Sequence, residues 1–203
     1  MSAPPLRPPA PRVVLASTSR YRRELLARLR LAFDVVAPEV DETALADETP
    51  AAQAGRLALA KARAVATLHP EAVVIGSDQI CDLDGSALGK PGTHERALAQ
   101  LRRLSGHSAV FHTALAVVCR SCGFEQCDTA AVRVQFRVLA DDEIERYLRL
   151  DEPYDCAGAA RSESLGIALL EAIHSDDPTA LVGLPLIRTA RMLRAAGVDV
   201  LRA

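Results

Sequence analysis

The sequence predicts an α/β protein: a mixed, twisted sheet with helices on its faces. Three observations carry this. Short apolar runs alternate with segments whose apolar residues recur every three to four positions, which marks strands alternating with helices. One run opens Ala72-Val73-Val74-Ile75 and extends to Ser77, as expected for a central strand covered on both faces. Residues 108–119 and 124–138 read as two long strands joined around Gly123, a hairpin that makes the sheet mixed.

The elements follow in order. Val13 to Ala16 is a short buried strand, and Ser17-Thr18-Ser19 then offers an N-cap. Arg20 to Arg30 reads as a helix with Leu25, Leu26 and Leu29 on its apolar face. Phe33 to Ala37 is a second strand, ended by Pro38, and Val40 to Thr43 is a polar loop. Thr49-Pro50 starts a helix, a capping residue before proline at the first helical position, and His69-Pro70 stops it after Leu68. Asp82 to Gly85 supplies a turn, and Thr93 caps a helix that Ser105-Gly106 ends. Asp141 to Leu150 is a short helix whose acidic first turn suits the helix dipole. Glu152 to Ser164 is irregular, Gly166 to Ala172 is a candidate strand, and Leu186 to Ala196 is the closing helix.

Length and composition suit one folded domain over residues 13–203: the chain has 203 residues, 49% hydrophobic and 25% charged. Residues 1–12 hold five of the 12 prolines, at positions 4, 5, 8, 9 and 11, and are expected to form a disordered tail outside the fold. No run is long and apolar enough for a membrane span, and the N-terminus lacks a signal-like apolar region. A net charge of −2 with 3% aromatics argues against general nucleic-acid binding. The expected location is the cytoplasm. Five cysteines, an odd number, suggest reduced thiols. Cys119, Cys122 and Cys127 crowd the hairpin turn; a hairpin tip competes there with a redox or zinc role.

Five stretches carry chemistry. At Ala16-Ser17-Thr18-Ser19-Arg20-Tyr21-Arg22-Arg23 a strand leads through small hydroxyls into a helix N-terminus. Free N–H groups, the helix dipole and an arginine one turn in suit a phosphate; a plain N-cap with a solvated basic face is the other reading. Asp41-Glu42 is either a Mg²⁺-holding pair or a solvated loop. Lys61 and Lys90 are the only lysines among 24 basic residues, so each marks a place where a compact ammonium suits better than a guanidinium, or is a chance survivor. Asp78, at the carboxyl end of the central strand, can bind metal or accept a proton, and Gln79 offers a donor and an acceptor to a base edge. In Asp155-Cys156-Ala157-Gly158-Ala159-Ala160-Arg161-Ser162-Glu163, small residues permit close approach of a flat ligand, and Glu163 can accept from a guanine-like edge.

In their order, LASTSRYRRELLARL, APEVDET, RLALAKARA, IGSDQICDLDG with GKP, RRLSG, EPYDCAGAARSESLG and LVGLPLI resemble the Maf nucleoside triphosphate pyrophosphatases, from Val13 to about Val200. Gln79 after Asp78, Cys156 before Ala157-Gly158, and Glu163 resemble the 7-methyl-GTP branch rather than the dTTP/UTP branch. The resemblance implies a fold like the inosine-triphosphate pyrophosphatases, two lobes around a central cleft, and hydrolysis between the α and β phosphates. It implies a divalent cation, Mg²⁺ or Mn²⁺, and a homodimer. By position Asp78 is the implied proton acceptor. Ser17, Arg22, Glu42, Lys61 and Lys90 match polar residues of the cleft, and Tyr21, Gln79 and Glu163 match positions that separate the branches. Arg20-Tyr21 replaces the proline and tryptophan expected before Arg22; Tyr21 still offers a stacking face of smaller area.

The resulting expectation is a 7-methyl-GTP pyrophosphatase. The Ser17–Ser19 helix start, Arg22, Lys61 and Lys90 hold the triphosphate, and Glu42 and Asp78 the metal. Tyr21, Gln79 and Glu163 read the base. The alternatives are a dTTP/UTP pyrophosphatase, or a non-enzymatic regulator of cell division or nucleic-acid partner that uses Arg20, Arg22 and Arg23 as contacts.

Overall fold

The structure, a computed structural model, describes residues 11–201. Most of the proline-rich stretch 1–12 lies outside the described residues. Arg12 does not: its carbonyl accepts from Val73 N–H at 2.8 Å and its guanidinium meets Asp34 at 2.7 Å.

The chain forms β1 (Val13–Ala16), α1 (Arg20–Ala27), β2 (Asp34–Val36), α2 (Pro50–Leu68), β3 (Val73–Leu83), β4 (Ser86–Leu88), α3 (His94–Leu104), β5 (Ser108–Cys119), β6 (Phe124–Phe136), α4 (Asp141–Asp151), β7 (Leu170–His174) and α5 (Leu186–Ala195). The strands make one seven-stranded sheet in the order β2-β1-β3-β5-β6-β7, with β4 paired to β3. β1 runs parallel to β2 and β3; the rest of the sheet is antiparallel, so it is mixed as predicted. No described helix is long and apolar enough to cross a membrane.

Alternation along the strands divides the interior into three cores. Val13, Leu15, Val73 and Ile75 face α1 and α5, meeting Leu25, Leu26, Met192 and Leu193. Val14, Ala16 and Val74 face α2, whose alanines Ala54, Ala58, Ala62 and Ala66 let the helix lie close to the sheet. The far halves of β3, β5 and β6 pack on α3 and α4 through Leu101, Leu104, Ile144 and Leu148. β3 and β5 run through both ends and tie two lobes together.

The helix caps fall where predicted: Ser19, Thr49 and Thr93 each accept a first-turn N–H. Four elements differ from expectation. The first helix ends at Ala27, because Arg28 caps it and Arg30 turns left-handed at φ 55°. The second strand shrinks to Asp34–Val36. Residues Leu165–Leu169 form a tight helical turn before β7, where Gly166 lies against the Arg161 backbone; a Cβ there would sit 2.6 Å from Arg161 N. β3 does not end near Asp78 but continues to Leu83, because β5 pairs with it without a break from Val74 to Asp82. The expectation of reduced thiols is corrected at one pair: the hairpin turn brings the Cα atoms of Cys119 and Cys122 to 5.5 Å and their sulfurs are joined as a disulfide. Cys81, Cys127 and Cys156 are free, and no metal-holding cluster of three His, Cys, Asp or Glu exists among the described residues.

Candidate active site

The site is a gap in the sheet. On one edge of β3, β1 stops pairing at Gly76 and β4 starts at Cys81. Residues 77–80 therefore have a strand partner only on the β5 side. A cleft of about 630 Å³ opens at that gap. All ten candidate residues read from the sequence line it: Ser17, Ser19, Tyr21, Arg22, Glu42, Lys61, Asp78, Gln79, Lys90 and Glu163.

Consecutive strand residues point to opposite faces. Asp78 shares its face with Gly76 and meets α2; Gln79 turns to the other face and meets the segment 180–183. Gly76 makes the first contact work. A Cβ there would collide with the Ala58 carbonyl and lie 2.7 Å from Ala62 N, so only glycine lets α2 come this close. Lys61, on that turn of α2, then reaches Asp78 Oδ1 at 2.7 Å and Glu42 Oε1 at 2.8 Å. Lys61 and Asp78 are buried, at 5% and 8% exposure, so this is an ion pair inside the protein with one end open to the cleft.

The strand-to-helix junction forms the opposite wall. Ser17 Oγ accepts from Ser19 N–H at 3.1 Å and Ser19 Oγ from Arg22 N–H at 3.4 Å, so both hydroxyls brace the turn. Arg22 donates through Nε to the Gly183 carbonyl at 2.9 Å, and Ser77 Oγ donates to the same oxygen at 3.1 Å. Burial pushes the Arg22 pKa down, and the charges of Asp78 and Glu42 push it back up. Lys90 stands exposed on the loop after β4, with no ion pair among the described residues.

Tyr21 sits among cations. Its ring carries the Arg20 guanidinium at 4.7 Å and that of Arg161 at 5.7 Å, and its hydroxyl donates to Asp155 at 3.3 Å. Burial raises the phenol to about 12, so it stays neutral. Burial likewise lifts the Cys156 thiol to about 11, which makes it an inert small residue beside Tyr21. Glu163 stands at the rim, and desolvation by the wall raises its carboxyl.

Gln79 departs from expectation. Its Nε2 donates to Thr113 Oγ1 at 2.8 Å and to the carbonyls of Ala180 and Leu181 at 3.0 and 2.9 Å. Its donor end is used inside the protein, so only the acceptor faces a ligand. Sequence reasoning gave no site role to Thr113, and none individually to Asp155, Arg161 or the segment 180–183, although Asp155, Arg161 and Leu181 to Gly183 lie in stretches it singled out. Thr113 had a signal, a hydroxyl next to the apolar run Ala114 to Val118 of a buried strand; the role of 180–183 is carried by backbone carbonyls, which side chains do not announce.

The family model described as "Maf-like protein" matches residues 12–196. The 7-methyl-GTP pyrophosphatase of Polaromonas sp. is 66% identical over 97% of this chain and 90% of its own. Those of Albidiferax ferrireducens and Burkholderia thailandensis are 64% identical over 95% and 96%, and 61% identical over 95% and 91%, of the two chains. Among solved structures, the Staphylococcus aureus Ham1 protein aligns with a TM-score of 0.45 and 17% identity, over 64% of this chain and 72% of that one. With the model spanning nearly all of the described fold and relatives above 60% identity, the chain belongs to the Maf-like protein family.

Proposed function

We propose that this protein hydrolyses the α–β phosphoanhydride of 7-methyl-GTP to 7-methyl-GMP and pyrophosphate. The observation that carries the reading is the convergence of a buried carboxylate, Asp78, with the cations Lys61, Arg22 and the exposed Lys90 in one cleft. The names of the relatives above support the same substrate.

Phosphoryl transfer needs positioning and charge neutralisation more than covalent help. Lys90 and Arg22 hold the phosphates, and the free N–H groups at the start of α1 add a partial positive charge. Lys61 fixes Asp78 through Oδ1, leaving the carboxylate oriented toward the cleft. Asp78 takes a proton from the attacking water as oxygen bonds to phosphorus; the bridging P–O bond breaks and pyrophosphate departs with its electron pair.

The residues fit a hard divalent cation. Glu42 and Asp78 both bond Lys61 Nζ, at 2.8 and 2.7 Å, which brings their carboxylates near each other, and carboxylate oxygens are what Mg²⁺ or Mn²⁺ takes. Among the described residues no group of three His, Cys, Asp or Glu gathers to hold a metal, so Glu42 and Asp78 would hold the cation with water and substrate oxygens. When bound, the cation neutralises charge developing on the phosphates. Chelation with EDTA is expected to abolish pyrophosphate release, and added Mg²⁺ or Mn²⁺ to restore it; full activity after chelation rules the cation out.

On the other side of the gap, Gln79 and Glu163 both present acceptors, matching the N1–H and N2–H₂ donors of guanine. A positively charged 7-methylguanine also suits the Glu163 carboxylate and replaces a guanidinium over Tyr21. A cytoplasmic location is part of this reading. The deciding assay is pyrophosphate release from 7-methyl-GTP, GTP, dTTP, UTP and CTP. Preference for 7-methyl-GTP upholds the reading, preference for dTTP or UTP moves it to the other branch, and no release from any favours a non-enzymatic binding protein. Glu163→Gln is expected to lower selectivity for 7-methyl-GTP over GTP by about 10-fold while kcat changes little; an unchanged profile removes Glu163 from base reading.

A further inference from the structure

We infer that Thr113 is a positioning residue for substrate choice: it locks the Gln79 amide so that the cleft offers the base a hydrogen-bond acceptor and never a donor. The inference deepens the proposed function and rests on it for the identity of the base.

Three acceptors surround Gln79 Nε2: Thr113 Oγ1 at 2.8 Å and the carbonyls of Ala180 and Leu181 at 3.0 and 2.9 Å. Turning the amide over would set its own carbonyl against those two carbonyls, with no proton between them. Thr113 decides what its oxygen can be. Its hydroxyl donates to the Ala180 carbonyl at 2.9 Å, so its lone pairs are left toward Gln79. A hydroxyl has one proton. Spending it on Ala180 makes Thr113 an acceptor for Gln79, and the amide must then donate. Thr113 is fully buried, at 0% exposure, which excludes water from substituting in either contact. The register places it directly across from Gln79 on the antiparallel partner strand. Gln79 lines the cleft, and its Oε1 receives no hydrogen bond within the described residues.

The consequence is a site that recognises N–H on the base. A buried hydrogen-bonding site of fixed polarity rejects a mismatched partner far more strongly than shape alone does, because the mismatch leaves polar groups unpaired. Guanine meets the acceptor with adjacent N1–H and N2–H₂ donors; cytosine has a donor only at N4–H₂, and its N3 and O2 acceptors find no donor there.

The test compares wild type with Thr113→Val, which keeps the shape and removes the oxygen. KM for 7-methyl-GTP is expected to rise about 10-fold, with the effect on KM rather than kcat, and the kcat/KM preference over CTP to narrow by at least about 10-fold, because the amide is then held by the Ala180 and Leu181 carbonyls alone and is less firmly oriented toward the base. Thr113→Ser, which keeps the hydroxyl, restores both. Should Thr113→Val fail to fold, Thr113→Cys, of similar size and a weak acceptor, is expected to show the same direction. A preference over CTP that survives these variants, or an equal loss of kcat on every substrate, overturns the inference. Calorimetric binding of 7-methyl-GMP and CMP separates this from the proposed reaction. Wild type that binds 7-methyl-GMP but releases no pyrophosphate sinks the pyrophosphatase reading, and the binding ratio of wild type to variant still judges Thr113. Wild type that binds neither nucleotide overturns both.

Discussion

Asp78→Asn lowers kcat for pyrophosphate release by about 10²–10⁴-fold, the range for losing a general base. The change keeps the size of the side chain and an oxygen for Lys61 to donate to at Oδ1, so the fold and the ion-pair geometry around Glu42 persist. What is lost is the ability to take a proton from water and one charge facing the cleft. KM therefore moves less than kcat, because Arg22 and Lys90 still hold the phosphates. Glu42→Gln serves as the comparison. It removes a carboxylate from the same cluster, but one on an exposed loop rather than on the buried strand, so the smaller loss is expected there. A steady-state series on 7-methyl-GTP with both variants decides the assignment. If Asp78→Asn turns over within about threefold of wild type, Asp78 is not the proton acceptor.

Much of this site was legible in the sequence because its polar residues break strong local patterns. Lys61 interrupts an alanine-rich helix and Asp78 interrupts an apolar strand, and each is the kind of residue that a core rejects unless it is paired. Ser17 to Arg22 was legible as a helix start with free N–H groups, but a plain N-cap reads the same way, and only its place beside Asp78 and Lys61 in one cleft separates the two. The length of β3 was not legible. Read alone, Asp78-Gln79 looks like the polar end of a strand, yet the long β5 supplies backbone partners through Asp82 and carries β3 past the polar pair. That continuation is what splits Asp78 and Gln79 onto opposite faces, one for chemistry and one for the base. The polarity of Gln79 was equally hidden. A glutamine presents both a donor and an acceptor, and which end meets the ligand depends on carbonyls at positions 180 and 181, about a hundred residues away in a turn whose side chains are apolar. Gly76 reads as a common glycine in a strand; only the closeness of α2 makes it the residue that brings Lys61 to Asp78.

Lys61→Met is expected to cost both fold and function. The side chains are close in length, so packing against α2 and β3 is nearly kept and the loss is electrostatic. Asp78, 8% exposed, loses the cation bonded to it and keeps only the charge of Arg22 across the cleft. Removing one partner of a buried pair costs about 3–5 kcal/mol, because the remaining charge must be desolvated without compensation. Activity falls with it, since Asp78 is no longer held and the triphosphate loses a cation. Lys61→Arg does not rescue: a planar guanidinium is bulkier than the ammonium in a space that Gly76 keeps narrow. The double variant Lys61→Met with Asp78→Asn separates the two effects. With both charges gone, the buried penalty disappears, so its urea midpoint rises back above that of Lys61→Met alone while pyrophosphate release stays at the Asp78→Asn level or lower. A double variant no more stable than Lys61→Met would mean that the methionine itself disrupts packing, and that the Lys61–Asp78 pair is not what the helix and the strand are holding in place.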